Sequence, residues 1–111
     1  MKKIYIAGKV TGLPQEEVIE KFANIQKELE KMGCQVINPI EVVKDFETPW
    51  NKAMRMCIAE LVYCDVIVLL PDWFSSKGAK IEWDIAKQLN IPDFRGTRFG
   101  LEDLKEYLKN K

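Results

Sequence analysis

The run Val66-Ile-Val-Leu-Leu70, headed by Asp65, has no polar position in it. Successive side chains of a strand point to opposite faces. A strand apolar at every step must therefore be covered on both sides, as a central strand of a parallel sheet is, with helices on either face. Lys3 to Ala7 (KIYIA) is rich in β-branched and aromatic residues and stops at Gly8, which makes it strand one. From Gln15 the residues Val18, Phe22, Ile25, Leu29 and Met32 recur at alternating four- and three-residue steps. That spacing predicts an amphipathic helix of about four turns, closed by Gly33 where a left-handed residue is easiest.

Cys34 to Ile37 predicts a second strand, ended by Asn38-Pro39 because proline cannot donate to a ladder, with a loop then running to about Pro49. Helical spacing resumes through Trp50, Met54, Cys57, Ile58, Leu61 and Val62, and again from Ala79 to Leu89 through Trp83 and Ala86. Pro71 to Gly78 between them reads as a loop. Ile91 to Phe94 is a candidate edge strand with Pro92 arguing against it. Gly96 and Gly100 bracket a turn before a final helix, Leu101 to Leu108. Strands alternating with helices imply right-handed crossovers. The expected architecture is a three-layer, flavodoxin-like (Rossmann-like) α/β domain, with a mostly parallel sheet of four to five strands in the order 2-1-3-4. With 111 residues, 47% of them apolar, one core can be built and a second cannot, so residues 1–111 read as one domain. Its ligand crevice belongs above the carboxyl ends of strands one and three, where the chain leaves in opposite directions.

Several function classes drop out on composition. The 17 basic and 17 acidic residues cancel, so no broad positive surface is expected to hold a nucleic-acid polymer or a bilayer. Met-Lys-Lys is followed by only a short apolar stretch before Lys9, too short for a signal-peptide core, and the expectation is a cytoplasmic protein. Cys34, Cys57 and Cys64 form no CxxC pair and read as buried reduced thiols. With no histidine in the chain, imidazole-based triads are excluded, and neither a metal nor another cofactor is expected.

Two loops can meet a ligand in that crevice. Ala7-Gly-Lys-Val-Thr-Gly-Leu-Pro14 offers Gly8 and Gly12 for close backbone approach, with Lys9 beside them. It matches neither the Walker nor the dinucleotide pattern, and on its own it is open between a phosphate site and a plain turn. In Ser75-Ser76-Lys77-Gly78-Ala79-Lys80-Ile81-Glu82, Glu82 follows Gly78 by one helical turn. It can look back into the crevice or lie on a solvated helix face. Trp73 and Phe74 either stack on a base or only cover a loop. Asp72 either acts as an acid or caps the loop, and Asp65, at the other end of its strand, reads as structural.

KIYIAG with its Gly-Leu-Pro loop, Trp50-x3-Met54-x3-Ile58-x2-Leu61-x2-Cys64-Asp65, and Leu-Pro-Asp-Trp-x-Ser-Ser-Lys-Gly-Ala-x-x-Glu together resemble an uncharacterised bacterial and phage family (DUF4406-like). That family is related to nucleoside 2-deoxyribosyltransferases and 2′-deoxynucleoside 5′-phosphate N-hydrolases. The resemblance covers about the first 92 residues. It implies Glu82 as the nucleophile at the sugar's anomeric carbon, Tyr5 near the reacting groups, and Ser76 on the side of a 5′-phosphate, with Gly78 completing the pattern. It also implies a nucleoside or nucleotide as the small-molecule partner and a homo-oligomer that completes the pocket. The acid that assists the reaction in those relatives falls at or beside Cys57, where this chain has no carboxylate. Asp72 is then the substitute candidate. Two other readings stand beside a glycosyl-transfer enzyme. One is a non-catalytic nucleotide-binding module that has lost the acid. The other is a receiver-like domain, disfavoured because strand one ends in Ala7-Gly8 where an acidic pair would hold magnesium.

Overall fold

The structure is a computed structural model and describes residues 1–110. Four strands, β1 (Lys3–Ala7), β2 (Gln35–Ile37), β3 (Val66–Leu69) and β4 (Asp93–Arg95), pair in parallel in the order β2-β1-β3-β4. This is the three-layer, flavodoxin-like arrangement expected from the alternation of patterns. Five α-helices flank the sheet: α1 (Gln15–Lys31), α2 (Pro39–Val43), α3 (Trp50–Leu61), α4 (Lys77–Gln88) and α5 (Arg98–Lys109).

The two faces of the sheet carry separate cores. Ile4, Ile6, Val66 and Val68 point to one face and pack with Val18, Phe22, Ile25 and Leu29 of α1 and Leu104 of α5. Tyr5, Ala7, Ile67 and Leu69 point to the other and pack with Cys57 and Leu61 of α3 and Ala79 and Ala86 of α4. The apolar run in β3 is thus buried on both sides, for the reason its composition implies. In register, Tyr5 lies beside Ile37 on one flank and Ile67 on the other. That places it in the middle of the sheet under α3 and α4.

Element boundaries differ from the sequence reading where side chains cap helices. The expected loop after β2 contains α2. Asn38 ends the strand and also caps this helix, its Oδ1 accepting the Ile40 N–H at 2.9 Å, with Pro39 in the first turn. The helix expected from Ala79 begins at Lys77 because Ser76 Oγ accepts the Ala79 N–H at 3.1 Å. The last helix begins at Arg98 rather than Leu101 because Thr97 does the same for Gly100. Trp73–Ser75 forms a 3₁₀ turn inside the expected loop. The edge strand starts after Pro92, whose carbonyl accepts the Ile67 N–H at 3.0 Å, so the missing proline donor is never required.

At the amino end of the sheet Asp65 accepts the Lys3 N–H at 2.8 Å. The three cysteines are free and buried. Among the described residues no helix is long and apolar enough to cross a membrane.

Candidate active site

The side of α4 facing the sheet is formed by Ala79, Glu82 and Ala86, a stripe at three- and four-residue spacing whose middle member is a glutamate. The small alanines let the helix sit close to β1, and Glu82 is only 5% exposed. Its Oε2 accepts a hydrogen bond of 2.6 Å from the hydroxyl of Tyr5, itself fully buried. Residues 77 positions apart in the chain thus form one buried pair. Cys57 of α3 stands against the Tyr5 hydroxyl and completes the group.

Burial dominates the electrostatics here. It pushes the Glu82 carboxyl up to about 7, with the Tyr5 hydrogen bond acting in the opposite direction. Burial, and then the nearby Glu82 charge, raise the Tyr5 hydroxyl well above its ordinary value. Burial pushes the Cys57 thiol up to about 11. The site therefore holds one carboxyl that can change charge near neutral pH beside two groups that keep their protons.

Glu82 and Cys57 lie on the wall of a cavity of about 820 Å³ over the carboxyl end of β1. Gly8, Lys9, Gly12, Ser76 and Gly78 line it too, so the structure brings together the two loops singled out in the sequence. Gly12 has φ +88 and nothing within 4 Å of where a Cβ would stand, which leaves this loop open toward the cavity. The Ser76 hydroxyl accepts the Ala79 N–H and keeps its own proton free to donate.

Asp72 and Trp73 are not part of this wall. Asp72 Oδ1 accepts the Lys9 N–H at 3.0 Å, and Oδ2 accepts the Lys21 ammonium at 2.6 Å, which also donates to the Lys9 carbonyl. Partial burial pushes this carboxyl up, but Lys21 and the Lys9 N–H outweigh it and hold it below the ordinary value. Its job in the fold is to tie the end of β3 to the loop after β1. Trp73 packs against the Trp83 ring in a tilted pair with centroids 5.4 Å apart, and the Arg95 guanidinium covers it at 4.9 Å. Phe74 points outward, 65% exposed.

The sequence reading missed the opposite wall, built by α2 and the segment after it. Ile40, Val43, Lys44, Asp45 and Phe46 contribute, followed by Trp50 and Met54 of α3. The signal available in the sequence was Asn38-Pro39, which can start a helix as readily as it ends a strand. The ring of Trp50 carries the Lys77 ammonium at 4.6 Å, which joins the first turns of α3 and α4 across the cavity mouth. Among the described residues no group of three or more His, Cys, Asp or Glu is placed to hold a metal ion.

A parallel sheet in this order, with a buried carboxyl opening into a cavity at the carboxyl end of its first strand, defines a doubly wound α/β domain with a cavity at its switch point, the place where ligands bind in open α/β sheets. Residues 2–92 match the model of a family described as a domain of unknown function, DUF4406, and the chain belongs to that family. Its fold is similar to the solved structure of a 2-deoxyribosyltransferase from the psychrotolerant bacterium Bacillus psychrosaccharolyticus. The TM-score is 0.62 at 18% identity, over 84% of this chain and 70% of that one. A search of the curated proteins finds no match.

Proposed function

We propose that this protein acts on the N-glycosidic bond of a 2′-deoxynucleoside or its 5′-monophosphate, with Glu82 as the nucleophile at C1′. The observation that carries the reading is the buried Tyr5–Glu82 pair, 2.6 Å long, opening into a cavity at the end of β1. The similarity in fold to a 2-deoxyribosyltransferase supports it. A volume of about 820 Å³ falls within the roughly 300–1,000 Å³ of small-molecule pockets. Lys9, Lys44, Lys77 and the Ser76 hydroxyl on its wall suit a phosphate.

In this reading Tyr5 holds Oε2, leaving Oε1 to attack. Breaking the C1′–N bond builds positive charge on the sugar, and a carboxylate beneath it collapses to a glycosyl-enzyme. The electron pair leaves with the base, whose ring nitrogen takes up a proton from solvent. Water in hydrolysis, or a second base in transfer, then attacks C1′ and gives up a proton to solvent, and the carboxylate is released. Asp72, held as an acceptor by Lys21 and Lys9, has no part in these steps.

Incubation with deoxynucleosides and their 5′-monophosphates, with and without a second free base, should release base or exchange it. Intact-mass analysis should reveal a deoxyribosyl adduct that Glu82→Gln abolishes. Base release undiminished in Glu82→Gln would overturn the reading. A second reading, a nucleotide-binding module without catalysis, is favoured by Cys57, which puts a thiol rather than a carboxyl beside the pair. Saturable binding with neither release nor adduct would decide for it.

A further inference from the structure

In what this chain contributes, the cavity is supplied with a nucleophile and poorly supplied with acids. When a C1′–N bond to an ordinary nucleobase breaks, the ring nitrogen keeps the electron pair and must take a proton as it departs. Among the described residues, the carboxyl groups on the wall are those of Glu82 and Asp45, and the chain has no histidine. Glu82 is the attacking group. Asp45 is exposed and accepts the Glu47 N–H at 2.9 Å, on the segment after α2. Tyr5 has its proton directed at Glu82. Asp72 is off the wall and engaged by Lys21 and Lys9. Lys9, Lys44 and Lys77 put positive charge on the wall, which suits an anion such as a phosphate better than a leaving base. The remaining neighbour of the pair is Cys57, 5% exposed, its thiol pushed by burial up to about 11. It is too weak an acid to match the task.

From this distribution of groups we propose that the site acts on nucleotides whose leaving ring nitrogen is already cationic, such as an alkylated purine or pyridinium N-glycoside, and that Cys57 imposes the restriction. This rests on the reading of Glu82 as nucleophile. For such a substrate no proton is needed. Oε1 bonds to C1′, the C1′–N bond breaks, and its electron pair cancels the charge on the ring nitrogen. The base leaves neutral, past a small buried thiol that asks for no charge partner. Water then attacks C1′, freeing the carboxylate and passing one proton to solvent.

The test compares 2′-deoxyguanosine 5′-monophosphate with its 7-methyl derivative, each measured against its own rate without protein. The wild-type acceleration should be about 100-fold larger for the methylated nucleotide, the lower end of what a general acid contributes, and Glu82→Gln should abolish it. Equal acceleration of the two, or a larger one for the unmethylated nucleotide, overturns the inference while leaving Glu82 as nucleophile intact. Release from neither overturns the glycosidase reading and this inference with it. Cys57→Asp, checked for folding by circular dichroism, should narrow the ratio at least about tenfold by supplying the acid. A folded variant with an unchanged ratio removes Cys57 from the explanation.

Discussion

A carboxyl in the core of a small protein is a liability unless it does something, and Glu82 makes the cost measurable. Its pKa rises on folding from the ordinary 4.5 to about 7, so between those values the native state binds more protons than the unfolded chain. Stability therefore falls as pH rises through that window and levels off above it, a loss of about 3 kcal/mol. Glu82→Gln keeps an acceptor for Tyr5 and removes the charge. Its melting temperature at pH 8 should exceed that of wild type, with the gap closing by pH 4, and thermal melts at both pH values check this. No gain at pH 8 would mean that the carboxyl is not desolvated. Tyr5→Phe deletes the one hydrogen bond that holds Glu82 down. The midpoint of the Glu82 titration, read by NMR or by pH-dependent adduct formation, should move upward by about one pH unit. An unmoved midpoint would assign Tyr5 to packing alone.

Helix starts carry the cavity. Ser76 at the first turn of α4 and Asn38 at that of α2 place two of its walls, each through a side-chain cap seen in the hydrogen bonds. Capping residues were legible in the sequence as residue types. Which of two meanings Asn38-Pro39 carried was not, because strand end and helix start share the same dipeptide. The junction of β4 and α5 gives a sharper element-level test. A Cβ on Gly100 would stand 2.0 Å from the Arg95 carbonyl oxygen, so Gly100→Ala forces the helix off the strand and should cost about 3 kcal/mol in denaturant unfolding. Gly12→Ala meets no atom within 4 Å and pays only for its positive φ, about 1 kcal/mol. Equal losses at the two positions would contradict this packing.

Over the whole molecule, the family match ends at residue 92 while the fold does not. Leu104 of α5 is fully buried against the face built by α1, and Tyr107 packs against Phe94 in a tilted pair with centroids 5.2 Å apart. Leu104→Ala should therefore cost about 2–5 kcal/mol, as much as an equivalent change within the matched region. A near-neutral result in equilibrium unfolding would make the last helix an accessory. By itself the sequence determined the layers, the strand order and the two glycine-bearing loops that meet at the cavity, because hydrophobic period and turn residues are local signals. The resemblance to a known family, rather than periodicity, pointed to Glu82 and Tyr5, which the fold joins by a hydrogen bond. Only the tertiary structure decided that Asp72 would be held by Lys21, 51 positions away, that Trp73 would turn to Trp83, and that α2 and Trp50 would close the opposite wall. Those outcomes depend on how helices rotate against the sheet and which distant partner reaches a side chain first, and no local pattern encodes either.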